Sequence, residues 1–486
     1  MSTTPTSTST SLSQVDSNYV KNISRENSEP AWMSEMRETA FSKYNSLPFE
    51  VSPLYSKYSD AKRLHPEQVH IPQTHKQFEP NQDTIERIGE LEKEEEKETS
   101  VLRIGSYIVR LHITEQMSEQ GIVVMDLRDA LNKHGDLIRK HLVKNTLKYD
   151  EDKFLALEAS CFDSGIFIYI PKNVTFNDSI RLVNTLPDDG SSSISRNIVV
   201  AEPGSKASIV QEIYSPPQQA ANNSTQQSYF ELLECHVEPN AQLEMVTLQA
   251  MDEKSSINFS NRKAFIERDG KMSWYMGLFG TQLSRYKIDS ITKGAGSSAE
   301  DVEIIFGVGE QSFDISSNLL HYGESSRGRV LAKSVMKDNS KSLFKGMIKI
   351  EKGAKSTESY LAGHAILLDK GAKSDAIPGL EIETNEVRAT HSASVAQIDE
   401  NQIFYLMCRG LSREGAKREI VSGFLEPLSR KMGPRIRAWV HYLIENKWNG
   451  KPLMLKTDEA MEQILEVEKS RYREVEDIFE KHYKYR

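Results

Sequence analysis

The sequence predicts a mainly β fold, a β-helix or solenoid core flanked by N-terminal and C-terminal helical regions. Three observations carry that reading. Turn elements of similar chemistry recur between short alternating runs, helical spacing is scarce from Leu155 to Val395, and at Asp399 the apolar period changes abruptly to that of a helix. The turns are AEPGSKAS from 201, VEPNAQLE from 237, ERDGKMSW from 267, TKGAGSSA from 292, EKGAKSTE from 351 and DKGAKSDA from 369. Each supplies Gly or Asn where the chain must reverse sharply. The last two repeat KGAKS around an alternating STESYLAGHAILL, with Gly353 and Gly371 eighteen residues apart. Coils that stack and bury a shared interior fit this pattern, and the raggedness of the repeat leaves a jelly roll or sandwich as the alternative.

The opening MSTTPTSTSTSLS holds ten Ser or Thr in thirteen residues, too little apolar area to offset its ordering, and predicts a disordered tail over 1–28. From Pro30, PAWMSEMRETAFSKYNSLPFE sets Trp32, Met36, Ala40 and Tyr44 at helical spacing with Pro48 as a stop, opening an N-terminal helical region with linker over 29–150. Residues 48–80 read as linker or extended arm, and ERIGELEKEEEKETS, 86–100, as a solvated helix. His65, His70 and His75 recur every five residues there, on no common face and without carboxylate or thiolate at ligand spacing, so a metal site is the lesser expectation for them. GIVVMDLRDALNKHGDLIRKHL gives a buried strand over Ile122–Met125 and a helix starting near Asp126.

The β core is placed at 151–398, and helices follow it. IDENQIFYLMCRG starts with capping candidates Asp399 and Asn401 and ends on Gly410. LSREGAKREIVSGFLEPL spaces Ala416, Ile420, Phe424 and Leu428 by four, with Val421 and Leu425 beside them. RIRAWVHYLIENKW completes a helical region over 399–450, and a charged helix from Thr457 fills the extension 451–486.

Composition narrows the function classes. The net charge is −9 and Lys and Arg are spread along the chain, which argues against nucleic acid or an anionic membrane as partner. Cys161, Cys235 and Cys408 are far apart and form no CxxC, and no window is apolar enough for a membrane span or secretory signal, so a cytoplasmic, reducing location is expected. KGAKS is not a phosphate loop, because Ala separates Gly from Lys and strands flank it; GxSxG, HExxH and GxGxxG are absent.

One strand raises a chemical question. In EVRATHSASVAQID, Val387, Ala389, His391, Ala393 and Val395 share one parity and Arg388, Thr390, Ser392 and Ser394 the other, so His391 is expected on the apolar side. It is either a core histidine with its hydrogen bonds satisfied or a metal ligand at a buried interface.

Several separated blocks, EPAWMSEMRETAF, ASCFDSGIFIYIPKNV, NLLHYGESSRGRVLAKSVMKD around His321, and FYLMCRGLS, together resemble the SufB/SufD family of the SUF iron–sulfur cluster assembly system, over roughly residues 30 to 445. The resemblance implies a β-helix between helical ends, pairing of a SufB-like with a SufD-like subunit through the β-helices, and binding of a SufC-like ABC ATPase by the C-terminal helices. Phe404, Tyr405, Arg409 and Phe424 are the partner-binding candidates. It implies a non-catalytic scaffold, a transient iron–sulfur cluster shared with the partner, and a homodimer as a second assembly; nothing in the sequence supports a flavin. SufB-like chains carry a cysteine fifteen residues before the proline of P-x-[LIV]-E and a Glu after the strand histidine; here these positions are Gly363 and Ser392. The chain therefore looks SufD-like, although SufD proteins commonly have Gly where Ser392 stands, and its His391 matches a histidine expected to face the SufB cysteine. The alternatives are a SufB-type scaffold using Cys161, Cys235 or Cys408, the last expected to be buried in its helix, and a solenoid enzyme of acyltransferase type.

Overall fold

The computed structural model describes residues 9–72, 99–187, 189–215, 225–451 and 453. Its two compact units comprise residues 1–79 with 98–398, and 80–97 with 399–486. His75, the first eight residues, the charge run up to residue 98 and the helix expected from Thr457 lie outside the described residues.

The first unit is the expected solenoid, of about eight turns. It opens with a small antiparallel pair, β1 (Ser9–Ser11) on β2 (His70–Pro72), and two further antiparallel pairs: β3 (Ser100–Ile104) with β4 (Tyr107–His112), and β5 (Val123–Asp126) with β6 (Ile166–Ile170). From there strands alternate between two parallel sheets. One sheet continues through β8 (Ser193–Ala201), β10 (Gln227–Val237), β12 (Ser256–Ile266), β14 (Leu283–Thr292), β16 (Ser312–His321), β18 (Lys341–Ile350) and β20 (Lys373–Ile382). The other runs through β7 (Thr175–Thr185), β9 (Lys206–Tyr214), β11 (Gln242–Ala250), β13 (Lys271–Leu278), β15 (Ser298–Gly307), β17 (Arg327–Met336), β19 (Glu358–Leu367) and β21 (Arg388–Gln397).

Ser298 lies against Arg327, Arg327 against Glu358 and Glu358 against Arg388, so a coil takes about 30 residues. The two KGAKS elements are therefore not equivalent. The first joins β18 to β19 and the second β19 to β20, at opposite corners of one coil. The corners do turn through left-handed residues, Gly204 at φ 72° and Gly296 at φ 69°, with Asn240 and Asp269 in the same region. Between the sheets, Ile209, Met245 and Trp274 meet Tyr286, Ile288 and Phe344 in one apolar core.

Helices cover the N-terminal part: α1 (Ser17–Glu26), α2 (Ala31–Ser46), α3 (Glu115–Glu119), α4 (Leu127–Lys133), α5 (Gly135–Lys144) and α6 (Lys153–Cys161). Two expectations are corrected here. Residues 9–28 do not form a disordered tail: Asp16 caps α1 by accepting from the Tyr19 amide at 2.8 Å, and Leu12, Val20 and Ile23 are buried. Their apolar side chains are few but all face the core, which composition averages away. Second, the segment assigned to the β core begins with a helix. Residues 154–161 of α6 are buried all round, and an apolar run without a polar face has no visible period. The α2 helix forms as expected, with its buried stripe turned to Met33, Arg37, Ala40 and Phe41. Arg37 donates to the Ser160 and Phe162 carbonyls at 2.9 and 2.8 Å, satisfying the open C-terminal end of α6, and is held by Glu29 at 2.6 Å. The arm expected over 48–80 is tied to the solenoid by Ser59 on Asp314 (2.9 Å) and Ser312 on Asp60 (2.6 Å).

The second unit holds α7 (Glu400–Met407), α8 (Arg413–Ser429) and α9 (Pro434–Trp448), the three helices expected there. Asp399 caps α7 and Ser412 caps α8 through side-chain oxygens, and Gly410 turns at φ 96°. The buried stripe of α8 is Ala416, Val421, Leu425 and Leu428; Ile420 and Phe424 are only half-buried. Cys408 is exposed rather than buried, because α7 ends at Met407 and the thiol sits on the cap facing out.

Candidate functional site

Among the described residues the solenoid stops after β20 and β21, and each has a neighbouring strand on one side only. His391 belongs to the column of β residues that faces the interior: Trp274 pairs with Asp301, Asp301 with Val330, Val330 with Leu361, and Leu361 with His391. Trp274, Val330 and Leu361 are fully buried core residues. The parity read from the sequence is therefore right, and Val387 and Ala389 pack on the core as it requires. Burial is not: His391 is exposed, since no further coil covers it, and its ring makes no hydrogen bond or ion pair among the described residues. That removes the satisfied core histidine and leaves an available imidazole at the open end of the stack. Leu380, Ile382 and Val395 are exposed around the same end, at 39%, 41% and 42%. Such a row of unpaired backbone and apolar side chains is a template for another chain.

Beneath this end the interior narrows to small residues. Ala332, Gly363, Ala365 and Ala376 line a cavity of about 10 Å3, room for about one water. Gly363, the position at which SufB-like chains carry cysteine, faces the Phe344 ring so closely that a Cβ would run into it. On the outer face of the same sheet, His364 Nδ1 lies 2.7 Å from Ser394 Oγ. Partial burial, with the Lys333 charge beside it, lowers the pKa of His364.

Deeper coils hold a second group that sequence reading missed. Glu231 accepts from Arg262 Nη2 (2.8 Å), Asn197 Nδ2 (2.8 Å), Ser260 Oγ (2.9 Å) and Gln211, all buried. Arg103 extends the chain to Ser195 and Tyr229, each at 2.8 Å. In the next coil Asp301 and Glu303 project inward from one strand, with Ser317 donating to Glu303. One oxygen of each carboxyl has no hydrogen-bond partner. Burial pushes both acids well above the carboxylate range, and in Glu303 the neighbouring Asp301 charge adds to it. The only sequence signal was a charged residue at inward parity, as Glu231 stands between Tyr229 and Leu233.

Cys161 and Cys235 are buried, and burial raises the Cys161 thiol to about 11 and Cys235 further. Neither is placed as a thiolate ligand. Among the described residues no group of three or more His, Cys, Asp or Glu could hold a metal ion. His65 lies 3.4 Å from Glu67, and His70 is in β2. In the helical unit Phe404 and Tyr405 are 68% and 57% exposed, and Arg409 donates to the Tyr405 hydroxyl at 3.0 Å. Met407 and Leu411, also exposed, extend this apolar surface. Among the described residues no helix is long and apolar enough to cross a membrane.

Comparison with known proteins agrees with this geometry. The model for the SufBD N-terminal region matches residues 12–182, and that for the SUF system SufBD core domain residues 184–424. The iron–sulfur cluster assembly protein SufD of Bacillus subtilis is 29% identical over 424 residues, 86% of this chain and 94% of its own length. An iron–sulfur cluster assembly SufBD family protein of Staphylococcus epidermidis is 25% identical over 448 residues, 89% of this chain and 93% of the relative. A solenoid of two parallel sheets between helical ends, matched along both of its regions, makes this chain a member of the SufBD family of the SUF iron–sulfur cluster assembly system.

Proposed function

We propose that the chain is the SufD-like, non-catalytic scaffold subunit of a cytoplasmic SUF complex. Its open solenoid end pairs with a SufB-like subunit, and a SufC-like ABC ATPase docks on the helical unit through Phe404, Tyr405, Arg409 and Phe424. His391 lends a ligand to a cluster built at the seam. The single observation that supports this most is an imidazole of inward parity, exposed and without a partner, on the last strand of an uncapped stack. A neutral imidazole there can take iron when a partner supplies thiolates, and clusters held by one histidine alone do not occur. The crowding of Gly363 against Phe344 supports the SufD-like branch over a SufB-type scaffold. Of these four residues Phe424 is the weakest partner candidate, since it is half-buried on α8.

The test is His391→Ala in the co-expressed complex. Complex yield and melting temperature should stay as they are while iron and acid-labile sulfide in the purified complex fall severalfold. Full cluster content in the variant complex would remove the ligand role. The isolated chain, reconstituted without oxygen, should show no stable cluster absorption; a stoichiometric cluster on it alone would contradict the scaffold reading.

A further inference from the structure

The buried stripe of α5 carries a histidine that cluster assembly does not use. Ile138, His141 and Leu142 form that stripe, and Ile138 and Leu142 join the apolar cluster that holds Phe167 of β6 and Ile198 and Val200 of β8. His141 is fully buried, yet neither of its ring nitrogens makes a hydrogen bond. A neutral imidazole in that position is an uncompensated polar group.

What faces the ring is a ladder of carboxylates. Glu202, Glu238 and Glu267 follow β8, β10 and β12 at one corner of three successive coils, the Glu238 and Glu267 amides donating to the Ala201 and Val237 carbonyls at 3.0 and 2.9 Å. Stacked coils set such like charges about 4.8 Å apart, so the ladder repels itself unless cations come between its rungs. The last turn of α5 supplies them. His141 Nδ1 lies 3.4 Å from Glu238 and its Nε2 3.8 Å from Glu202, while Lys144 Nζ lies 2.8 Å from Glu238 and 3.1 Å from Glu267. The next rung is Lys293, which donates to Asn145 just past α5 at 2.8 Å. Without a proton on His141 the corner sets three carboxylates against Lys144 and Lys293 alone.

His141, and after it Lys144, hold the Glu238 carboxyl down to about 2 against its partial burial. The other groups around the ring leave the charge to His141. His236 of β10, 5.3 Å away between ring centres, is pushed well below the imidazole range by burial and then by the His141 charge, and its Nδ1 lies 2.9 Å from Asn145 Nδ2. Tyr169 of β6, beside Glu202, has its pKa raised by burial and by that carboxylate, and Arg196 of β8 is held by Glu234 at 2.7 Å.

We infer that α5 is fastened to the solenoid by a proton: charged His141 bridges Glu202 and Glu238, and when the ring loses its proton these carboxylates repel and α5 loosens from the corner, uncovering the β6–β8 face under Ile138 and Leu142. The device is a pH-sensitive catch on the first coils, apart from the open end where His391 stands. Its contribution is present while the ring is charged and the carboxylates are ionised, and is lost as pH rises through the imidazole range.

Hydrogen exchange of the full chain, read by mass spectrometry and corrected for the intrinsic pH dependence of amide exchange, tests this. From about pH 5 to about pH 8, the range in which imidazoles change charge, protection of the α5 amides should fall about tenfold, the order of effect of a partly buried imidazolium at a helix C-terminus. His141→Gln should flatten the α5 profile while leaving the pH profile of β16 and β18 as it is. Glu202→Gln, at a partly exposed rung that the fold does not need filled by a charge, should reduce the same pH dependence, whereas Lys144→Gln should lower protection equally at both pH values. An α5 protection that does not change with pH, or that changes as much in Glu202→Gln and in any folded His141→Gln as in the unaltered chain, would overturn the proposal.

Discussion

Two inward-facing histidines mark the difference between the middle of the solenoid and its last coil. His321, at the end of β16, is fully enclosed: Thr292 and Ser326 lie 2.9 Å from its Nδ1 and Ser359 3.0 Å from its Nε2. Burial lowers its pKa to about 4. His391 has a coil behind it and none ahead, and its ring is bare. Both follow the same alternation in sequence. What differs is their place in the stack, so in a solenoid the interior becomes a surface wherever the coils stop.

The largest effect should come from breaking the enclosed region. Arg262→Leu leaves the Glu231 carboxylate buried without its cation, and should cost about 3 to 5 kcal/mol in denaturant unfolding. Next, His321→Ala removes a buried ring together with its hydrogen bonds to Thr292, Ser326 and Ser359, of which Thr292 and Ser326 keep the Leu320 carbonyl and Thr357 as partners, costing about 2 to 3 kcal/mol. At the open end, His391→Ala should move stability by no more than about 0.5 kcal/mol, the range for an exposed site. A loss there as large as at His321 would mean the two positions are equivalent after all.

The comparison sharpens with pH. The folded chain keeps His321 neutral to about pH 4, while the unfolded chain protonates it near 6.5, so its contribution is present above 6.5 and lost as pH falls toward 4. Asp301 and Glu303 act in the opposite sense. Their folded pKa values are raised, so their contribution is present at low pH and lost as pH rises out of the carboxylate range toward about 7. Glu303→Gln should flatten the loss on the rising side, and His321→Gln the loss on the acid side, in melting curves from pH 4 to 8. The smallest effect belongs to Phe404→Asp: unchanged melting, with ATPase binding weakened about tenfold or more if the exposed helix face is the docking surface.

How much of this was legible follows the same line. Local rules survive: the six turn elements mark real corners, Asp126 and Asp399 sit at helix starts while Asn401 falls inside the helix, and the inward parity of His391 holds. Properties set by distant coils do not. The Arg262–Glu231 pair joins residues on neighbouring coils, and nothing near either position in the sequence announces the other. The KGAKS repeat suggested equivalent turns, yet the true period crosses both sheets. At the termini composition misled twice. Leu12, Val20 and Ile23 are buried and anchor residues 9–28, and Cys408 escapes burial by falling on a helix cap.

The two ends of the stack also differ in what they permit. At the start the sheets finish in β4 and β5, which run antiparallel to their neighbours, so the parallel ladder is already terminated there. At the finish β20 and β21 leave both ladders unterminated. β4 and β5 are edges too, each with one neighbouring strand among the described residues, but only the last coil offers edges in the parallel register of the stack. A second solenoid that covered this last coil with its own would occupy the parallel edges of both. Closed in that way, growth would halt at two, which is how a fold with the repeating geometry of a fibre can stay finite.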